Sequence, residues 1–540
     1  MQCNRSFAEA SPALKFIPFG TSRAMQRSFT LTLLLLLTAG LLCSAVARAE
    51  ETLATAPAVI ITPTVGPPTT NVLVSGTGFD PYVAVDIYFD LTDLALAVTN
   101  GAGAFGGGSI RGGVPIQVPA SAVPGTHWIT AVERYGIKAA QKPFLVRTDW
   151  AQFRFKPDHK GLNPYEDILS PDSVGSLNLH WSYQTGQRIG SSPAVANGIV
   201  YFGSPDENLY ALNASTGALL WKYAPGGSVA VSSPAVANGV VYVASEDGFF
   251  YALNASTGAL LWKYPMGIYV SDSSPAVANG VVYVVSGGGT LYALDASMGA
   301  LLWQYTTGPG IYSSPAVANG MVYVGTRDSK VYALNASTGA LLWQYSTGDS
   351  IDTSPAVANG LVYIGSADGN LYAFGANTGA LLWKYTTGGQ IFLSSPAVAN
   401  GVVYVGSLDY NLYALNASTG ALLWKYPTGD VIESSPAVAN GVVYVGSYDG
   451  YLYALNASTG ALLWSYPTGS LDSSPAVVNG VVYVGSHDGN LYAFDLTGGL
   501  LSKKFSPPER PDPNLLRPDW KLKPSTPVTR MPSDSQEQVE

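Results

Sequence analysis

Asp272, Tyr312, Asp352, Glu433 and Asp472 are the side chains in this sequence best placed to do chemistry together. Each stands two residues ahead of a Ser-Pro pair, and the Ser-Pro pairs recur at a period near 40 residues. If that period closes on itself, the five line one axial mouth. Carboxylates gathered in this way can hold a cation or hydrogen-bond a sugar; the same residues also suit the solvated rim of an acidic protein.

Other candidates read as structure. An Asp occupies the turn after the second apolar run in seven of eight units, as in Ala367-Asp368-Gly369, where it is a turn former. Five Asn-Ala-Ser sequons (Asn213, Asn254, Asn335, Asn416, Asn456) match glycan acceptors, yet all fall at one repeated turn, which favours turn chemistry. His127, His159, His180 and His487 have no metal-ligand spacing. No Gly-x-Ser-x-Gly nucleophile motif and no phosphate loop is present.

The elements that must position these residues are eight near copies of one unit, marked by Trp181, Trp221, Trp262, Trp303, Trp343, Trp383, Trp424 and Trp464. Each holds four short apolar runs. Ser-Pro-Ala-Val-Ala ends at Asn-Gly, the strongest short-range hairpin signal. Val-Val-Tyr-Val, Leu-Tyr-Ala-Leu and Ala-Leu-Leu-Trp-x-Tyr follow, with no sustained helical period. A four-stranded sheet cannot bury both faces alone, and radial stacking solves that problem. The expectation is therefore all-β: an eight-bladed propeller of four-stranded antiparallel blades over residues 177–505, with the Trp of each fourth strand between blades. Ser502 takes the Trp position in the final unit, which predicts a weaker interface there. Leu177 to Tyr183 is an orphan fourth strand, expected to pair with the last blade beside or instead of Leu500 to Phe505.

Differences between copies are not spread evenly. The Pro-to-Trp interval is 28 residues in seven units, whereas the Trp-to-Pro interval varies from 11 to 13. Variation in type also collects in that loop and in the turn after the second run. In an up-and-down blade both emerge on one face, while the constant Asn-Gly and Asn-Ala-Ser-Thr-Gly turns emerge on the other. Binding belongs on displayed variable loops, which puts the five mouth residues on the variable face.

Upstream, residues 1–49 read as an export signal, with Met25 as an alternative start, an apolar core from Leu31 to Leu42 and Ala47-Arg48-Ala49 as the cleavage site. Cys3 and Cys43 both precede that cut, so the mature chain has no disulfide. The signal is basic and the whole chain has a net charge of −9, a balance that disfavours nucleic acid. Residues 54–147 alternate as short strands between Gly and Pro turns, fitting a β-sandwich. Residues 148–176 read as a connector, and 506–540 as a Pro-rich disordered tail.

Ala454-Leu455-Asn456-Ala457-Ser458-Thr459-Gly460-Ala461-Leu462-Leu463-Trp464 resembles the tryptophan-docking motif of the pyrroloquinoline-quinone (PQQ) repeat propellers, or quinoproteins. Val72 to Phe79 and Gly125 to Val132 similarly resemble bacterial immunoglobulin-like domains. The repeat family includes calcium- and quinone-dependent dehydrogenases, an outer-membrane assembly lipoprotein and exported proteins that bind no quinone. Its enzymes use adjacent cysteines and residues unique to single blades; this chain offers neither. The expectation is an exported bacterial, monomeric, non-enzymatic binding or scaffold protein with a protein or glycan ligand, no cofactor, and no integral membrane segment after signal removal. The alternatives are a PQQ- and calcium-dependent alcohol or sugar dehydrogenase and a scaffold like the outer-membrane protein assembly factor.

Overall fold

Asn197 and Gly198 take φ values of 54° and 75°, the paired left-handed conformation whose twist matches the two strands it joins. The same Asn-Gly turn recurs in every unit and sets the first hairpin of each sheet. The computed structural model describes residues 56–107, 112–229, 232–267, 273–308, 310–496 and 509–516. The export signal, both cysteines, Asp272, Ser502, Leu500 to Phe505 and most of the tail lie outside them.

Among the described residues the architecture is all-β, with only two short 3-10 turns. Seven units each fold into one antiparallel sheet in chain order, as in Ala356–Ala358, Leu361–Gly365, Asn370–Gly375 and Leu381–Thr386. The eighth sheet is completed from far upstream. Asn178–Gln184 pairs antiparallel with Asn490–Asp495 and sets Trp181 opposite Ala493. Trp464 stands opposite Ala454 in the same register. The orphan strand thus supplies the fourth strand, and Trp181 stands where Ser502 was expected to leave a weak joint. Its Nε1 donates to Ala214 O at 3.0 Å.

That bond is the general joint between sheets. Trp303 Nε1 donates to Ala336 O at 2.9 Å, and Tyr283 Oη donates to the same oxygen at 3.0 Å. One carbonyl with two lone pairs takes both donors. Trp464 instead donates to Leu177 O at 3.1 Å, and the buried Tyr444 hydroxyl beside it has no partner. Apolar clusters fill each interface, with Tyr363, Leu371 and Ala373 of one unit against Val403, Val405 and Leu415 of the next. Each outermost strand of these sheets carries a bulge, as at Ala373/Phe374 opposite Trp383, which blunts an edge that would otherwise invite pairing.

The chain from Trp150 to Asn163 touches all eight units in turn. Trp150 O and Ala151 O accept from the N–H groups of Val195 and Val236, and Gln152 Oε1 from Val277. Pro157, Asp158, Lys160 and Gly161 accept from Val317, Val357, Val398 and Val438. Asn163 Nδ2 closes the circuit on Val477 O at 2.9 Å. The innermost strand of each sheet has an unpaired edge, and this segment satisfies it. It is an integral part of the ring rather than a spacer.

Upstream, the sheet of Ala58–Thr62, Asn71–Thr77 and Val114–Gln117 shares one apolar core with a five-stranded sheet that includes Ala84–Phe89 and Gly125–Glu133. Residues 509–516, read from sequence as part of a disordered tail, return to this unit. Arg510 lies over the Trp128 ring at 4.6 Å, Gln141 Nε2 donates to Pro511 O at 2.7 Å, and Leu516 packs on Tyr88 and Val132.

Candidate functional site

The Ser of each Ser-Pro pair stands two residues ahead of the innermost strand, and eight such residues converge. Ser192 N–H donates to Ser233 Oγ, Ser233 to Ser274, Ser274 to Ser314 and Ser314 to Ser354. The circuit continues through Ser395, Ser435 and Ser474 and returns to Ser192, every bond between 2.9 and 3.0 Å. All eight serines are buried. They form the lower wall of an axial cavity of about 120 Å³.

Above this crown, Tyr312, Asp352, Glu433 and Asp472 line the same cavity. Four of the five residues chosen from sequence therefore meet; the fifth, Asp272, lies outside the described residues. Phe153, from the circling segment, lines the cavity as well, and a small pocket behind it, bounded by Trp150 and Arg154, holds only about 10 Å³. The two spaces share Phe153, Ser192, Ser435 and Ser474 in their walls, so little room remains on the far side of the crown.

The rim is not a set of bare carboxylates. Arg327 Nε donates to Asp352 Oδ1 at 2.8 Å, and its guanidinium lies 3.6 Å from the Tyr312 ring centroid. The Asp352 side chain is only 2% exposed. Asp472 pairs with His487 at 2.8 Å, and the His487 ring meets Tyr448 edge-on at 5.5 Å. Burial pushes the Glu433 carboxyl above its usual range, while a hydrogen bond from Tyr448 pulls it back. Burial raises the Tyr448 phenol, and the Asp472 and Glu433 charges raise it further. Arg188 adds a cation to the lining. Sequence reading missed Arg188, Arg327, Tyr448 and the crown itself. Arg327, Tyr448 and His487 all occupy the first position of the variable turn after the second strand, so that position carried the signal.

The repeated Asp residues act as turn latches. Asp368 Oδ1 accepts from Asn370 N–H at 2.9 Å, and Oδ2 accepts from Tyr372 Oη at 2.5 Å and from Gly348 N–H at 2.9 Å. The sequon asparagines are equally local: Asn335 Oδ1 accepts from the N–H groups of Ser337 and Thr338, both at 3.0 Å. Behind the crown, Arg154 is wholly buried and donates to Ser395 O, Pro396 O and His159 O. Burial pushes its guanidinium down to about 9 and the His159 imidazole down to about 3. Among the described residues no three His, Cys, Asp or Glu side chains come together as a metal-ligand set. No helix among them is long and apolar enough to cross a membrane.

Residues 176–267, 266–391 and 367–512 match the PQQ-type repeat profile described as outer membrane protein assembly factor BamB. Over 70 residues, 13% of this chain and 10% of the relative, the sequence is 37% identical to the quinohemoprotein alcohol dehydrogenase ADH-IIG of Pseudomonas putida. The chain thus spans about a tenth of that relative's length. Among solved structures, BamB from Moraxella catarrhalis superposes with a TM-score of 0.52 at 23% identity, covering 59% of this chain and 99% of that one. The Pseudomonas putida HK5 dehydrogenase ADHIIG superposes with a TM-score of 0.58 at 20% identity, covering 67% and 82%. At these identities the two superpositions establish a shared propeller-like fold.

Proposed function

The chain belongs to the PQQ-type repeat family whose profile is described as outer membrane protein assembly factor BamB, and we propose that it is an exported, non-enzymatic scaffold that meets a protein partner through its variable loops. The observation that carries this reading is that the chain folds back on part of its own constant face, at three of the eight Asn-Gly turns. Asn197 and Asn479 of the Asn-Gly turns bond to Arg147 and Thr148, and Gly441 and Gly480 pack against Pro171 and Ile168. A partner is expected on the opposite face, where the displayed loops differ between copies.

On this reading the eight sheets are the blades of an eight-bladed β-propeller spanning 177–505. Residues 54–147 are an immunoglobulin-like sandwich, residues 1–49 direct export from a bacterial cytoplasm, and the protein acts as a monomer.

A quinone-dependent dehydrogenase is the reading that the name of the curated relative suggests. The residues present do not fit the group. Pockets for ligands of that size run to roughly 300–1,000 Å³, against about 120 Å³ here. Of the rim carboxylates, Asp352 is already ion-paired with Arg327, and Asp472 is already engaged by His487 at 2.8 Å.

The test is site-specific photo-crosslinking in a bacterial periplasm, with p-benzoylphenylalanine at Leu408 or Tyr410 on the variable face and at Ser337 or Ser418 on the constant turns. Discrete protein adducts from the first pair alone are expected. Adducts confined to the second pair, or dye reduction with alcohols after adding PQQ and calcium to the purified protein, would overturn the reading.

A further inference from the structure

We propose that the axial cavity binds a single sugar ring or compact polyol, held by serine donors below and carboxylate acceptors above. The inference goes beyond the scaffold reading and does not depend on it.

The crown is the first ground. Each Oγ accepts one backbone N–H, which leaves a hydroxyl proton to place. For Ser192, Ser314, Ser354, Ser435 and Ser474 that proton has no acceptor among the described residues. All five are more than nine-tenths buried and line the cavity. Buried donors are rarely left unmatched, so the acceptors must come from whatever fills the cavity.

The rim is the second ground, and it is complementary. Asp352, Glu433 and Asp472 present carboxyl oxygens to the same space. A ligand that satisfies both layers must accept from below and donate above. A hydroxyl does both with one atom, and neighbouring hydroxyls on a ring can span the two layers at once. A simple anion would meet the serines but be repelled by the carboxylates, and a simple cation would meet the carboxylates but leave the serine protons without acceptors. Arg327 against Asp352, with Arg188 in the same lining, offsets part of the rim charge, which further favours a neutral guest.

Shape is the third ground. Tyr312, held by Arg327, adds an aromatic surface. The cavity, about 120 Å³, has little room beyond it on the side of Phe153 and Trp150. It suits one ring entering from the mouth, such as the terminal residue of a glycan, and not a chain threaded through.

Titration calorimetry and saturation-transfer NMR on the mature protein test this with D-glucose, D-mannose, N-acetylglucosamine and myo-inositol. Sodium sulfate and calcium chloride serve as charged probes. At least one polyol is expected to bind, with neither salt competing. Asp352→Asn and Glu433→Gln should each weaken it about tenfold, the loss expected for one hydrogen bond to a charged group. Leu393→Trp, at the mouth, should abolish binding while the melting temperature stays unchanged. No binding by any polyol, binding unmoved by all three variants, or binding of sulfate or calcium alone would each overturn the proposal. The crosslinking pattern reports separately on the protein partner.

Discussion

The backbone N–H of Ser474 donates to Oγ of Ser192 across 2.9 Å, joining the last repeated unit to the first over 282 residues of chain. Its geometry matches the seven internal bonds of the crown, so the seam is bonded like any other interface at the axis. Ser192→Ala would leave the Ser474 N–H buried without an acceptor, at a cost of about 1–3 kcal/mol. Ser354→Ala, in the interior, should cost a similar amount. Denaturant unfolding midpoints check both. A seam variant without effect would mean that the ring does not close at the axis.

Glycine at two repeated turns separates backbone strain from steric conflict. Gly320 and Gly339 have φ of +75° and +70°, but a Cβ on Gly320 meets nothing within 4 Å, whereas one on Gly339 lies 2.6 Å from Trp303 Cε3. Gly320→Ala should cost about 1 kcal/mol, the penalty of a left-handed alanine. Gly339→Ala must also displace Trp303 from Ala336 O, which adds about 1–3 kcal/mol of overpacking. Thermal melts of the two single variants compare them directly. Equal losses would refute the docking role of the indole.

That docking role was legible from sequence because Trp, Gly and the Asn-x-Ser-Thr turn are local and repeated. So were the Asn-Gly hairpins, where only a left-handed pair such as Asn197 and Gly198 fits. The Asp turns were legible for the same reason, although their reach to a Tyr four residues on was not. What stayed hidden joins distant parts of the chain. Arg327 and Asp352 sit on different units, and no periodicity pairs them. The segment from Trp150 to Asn163 has no apolar pattern because it bonds to six of the eight units through backbone oxygens, which every residue type carries. Arg510 finds Trp128 through a return of the chain that composition alone cannot encode.

Two neighbouring carboxyls where the upstream segment meets the ring make stability depend on pH. Glu166 accepts from the N–H groups of Ile168, Leu169 and Gly480 at 3.0–3.1 Å. Burial outweighs those bonds and pushes its carboxyl up to about 7; burial likewise pushes Asp167 up to about 6. A carboxyl raised in the folded state takes up a proton on folding. Its contribution is therefore greatest below its unfolded value and declines as pH rises through the folded one. The window runs from about pH 4 to about pH 7. Glu166 should contribute a loss of about 3 kcal/mol across it, read as a falling denaturation midpoint. Glu166→Gln, which keeps an acceptor for two of the three N–H groups, should flatten the curve. A midpoint that rises over this range would contradict the assignment.

One unit lacks the Asp latch altogether, and restoring it should stabilise the fold. Where the other seven carry Asp, the third has Gly287-Gly288-Gly289. Gly288 is the equivalent position, with Tyr292 four residues on, as Tyr372 is from Asp368. Its backbone has no left-handed φ, and a Cβ there would have Ser286 Oγ, 3.9 Å away, as its nearest neighbour, so a side chain fits. Gly288→Asp would gain the turn bond to the Thr290 N–H and a phenol donor from Tyr292, each worth about 0.5–1.5 kcal/mol net. Removing a glycine from the unfolded chain adds about 0.4–1 kcal/mol. The expected gain is about 1.5–4 kcal/mol, measured as a higher unfolding midpoint. Tyr292→Phe in the same background should remove about a third of it, because the phenol bond is lost while the turn bond and the chain-entropy gain remain. If Gly288→Asp is neutral, the latch contributes nothing beyond the turn it sits in, and the repeated geometry at Asp368 and Tyr372 is a consequence of the fold and not a support for it.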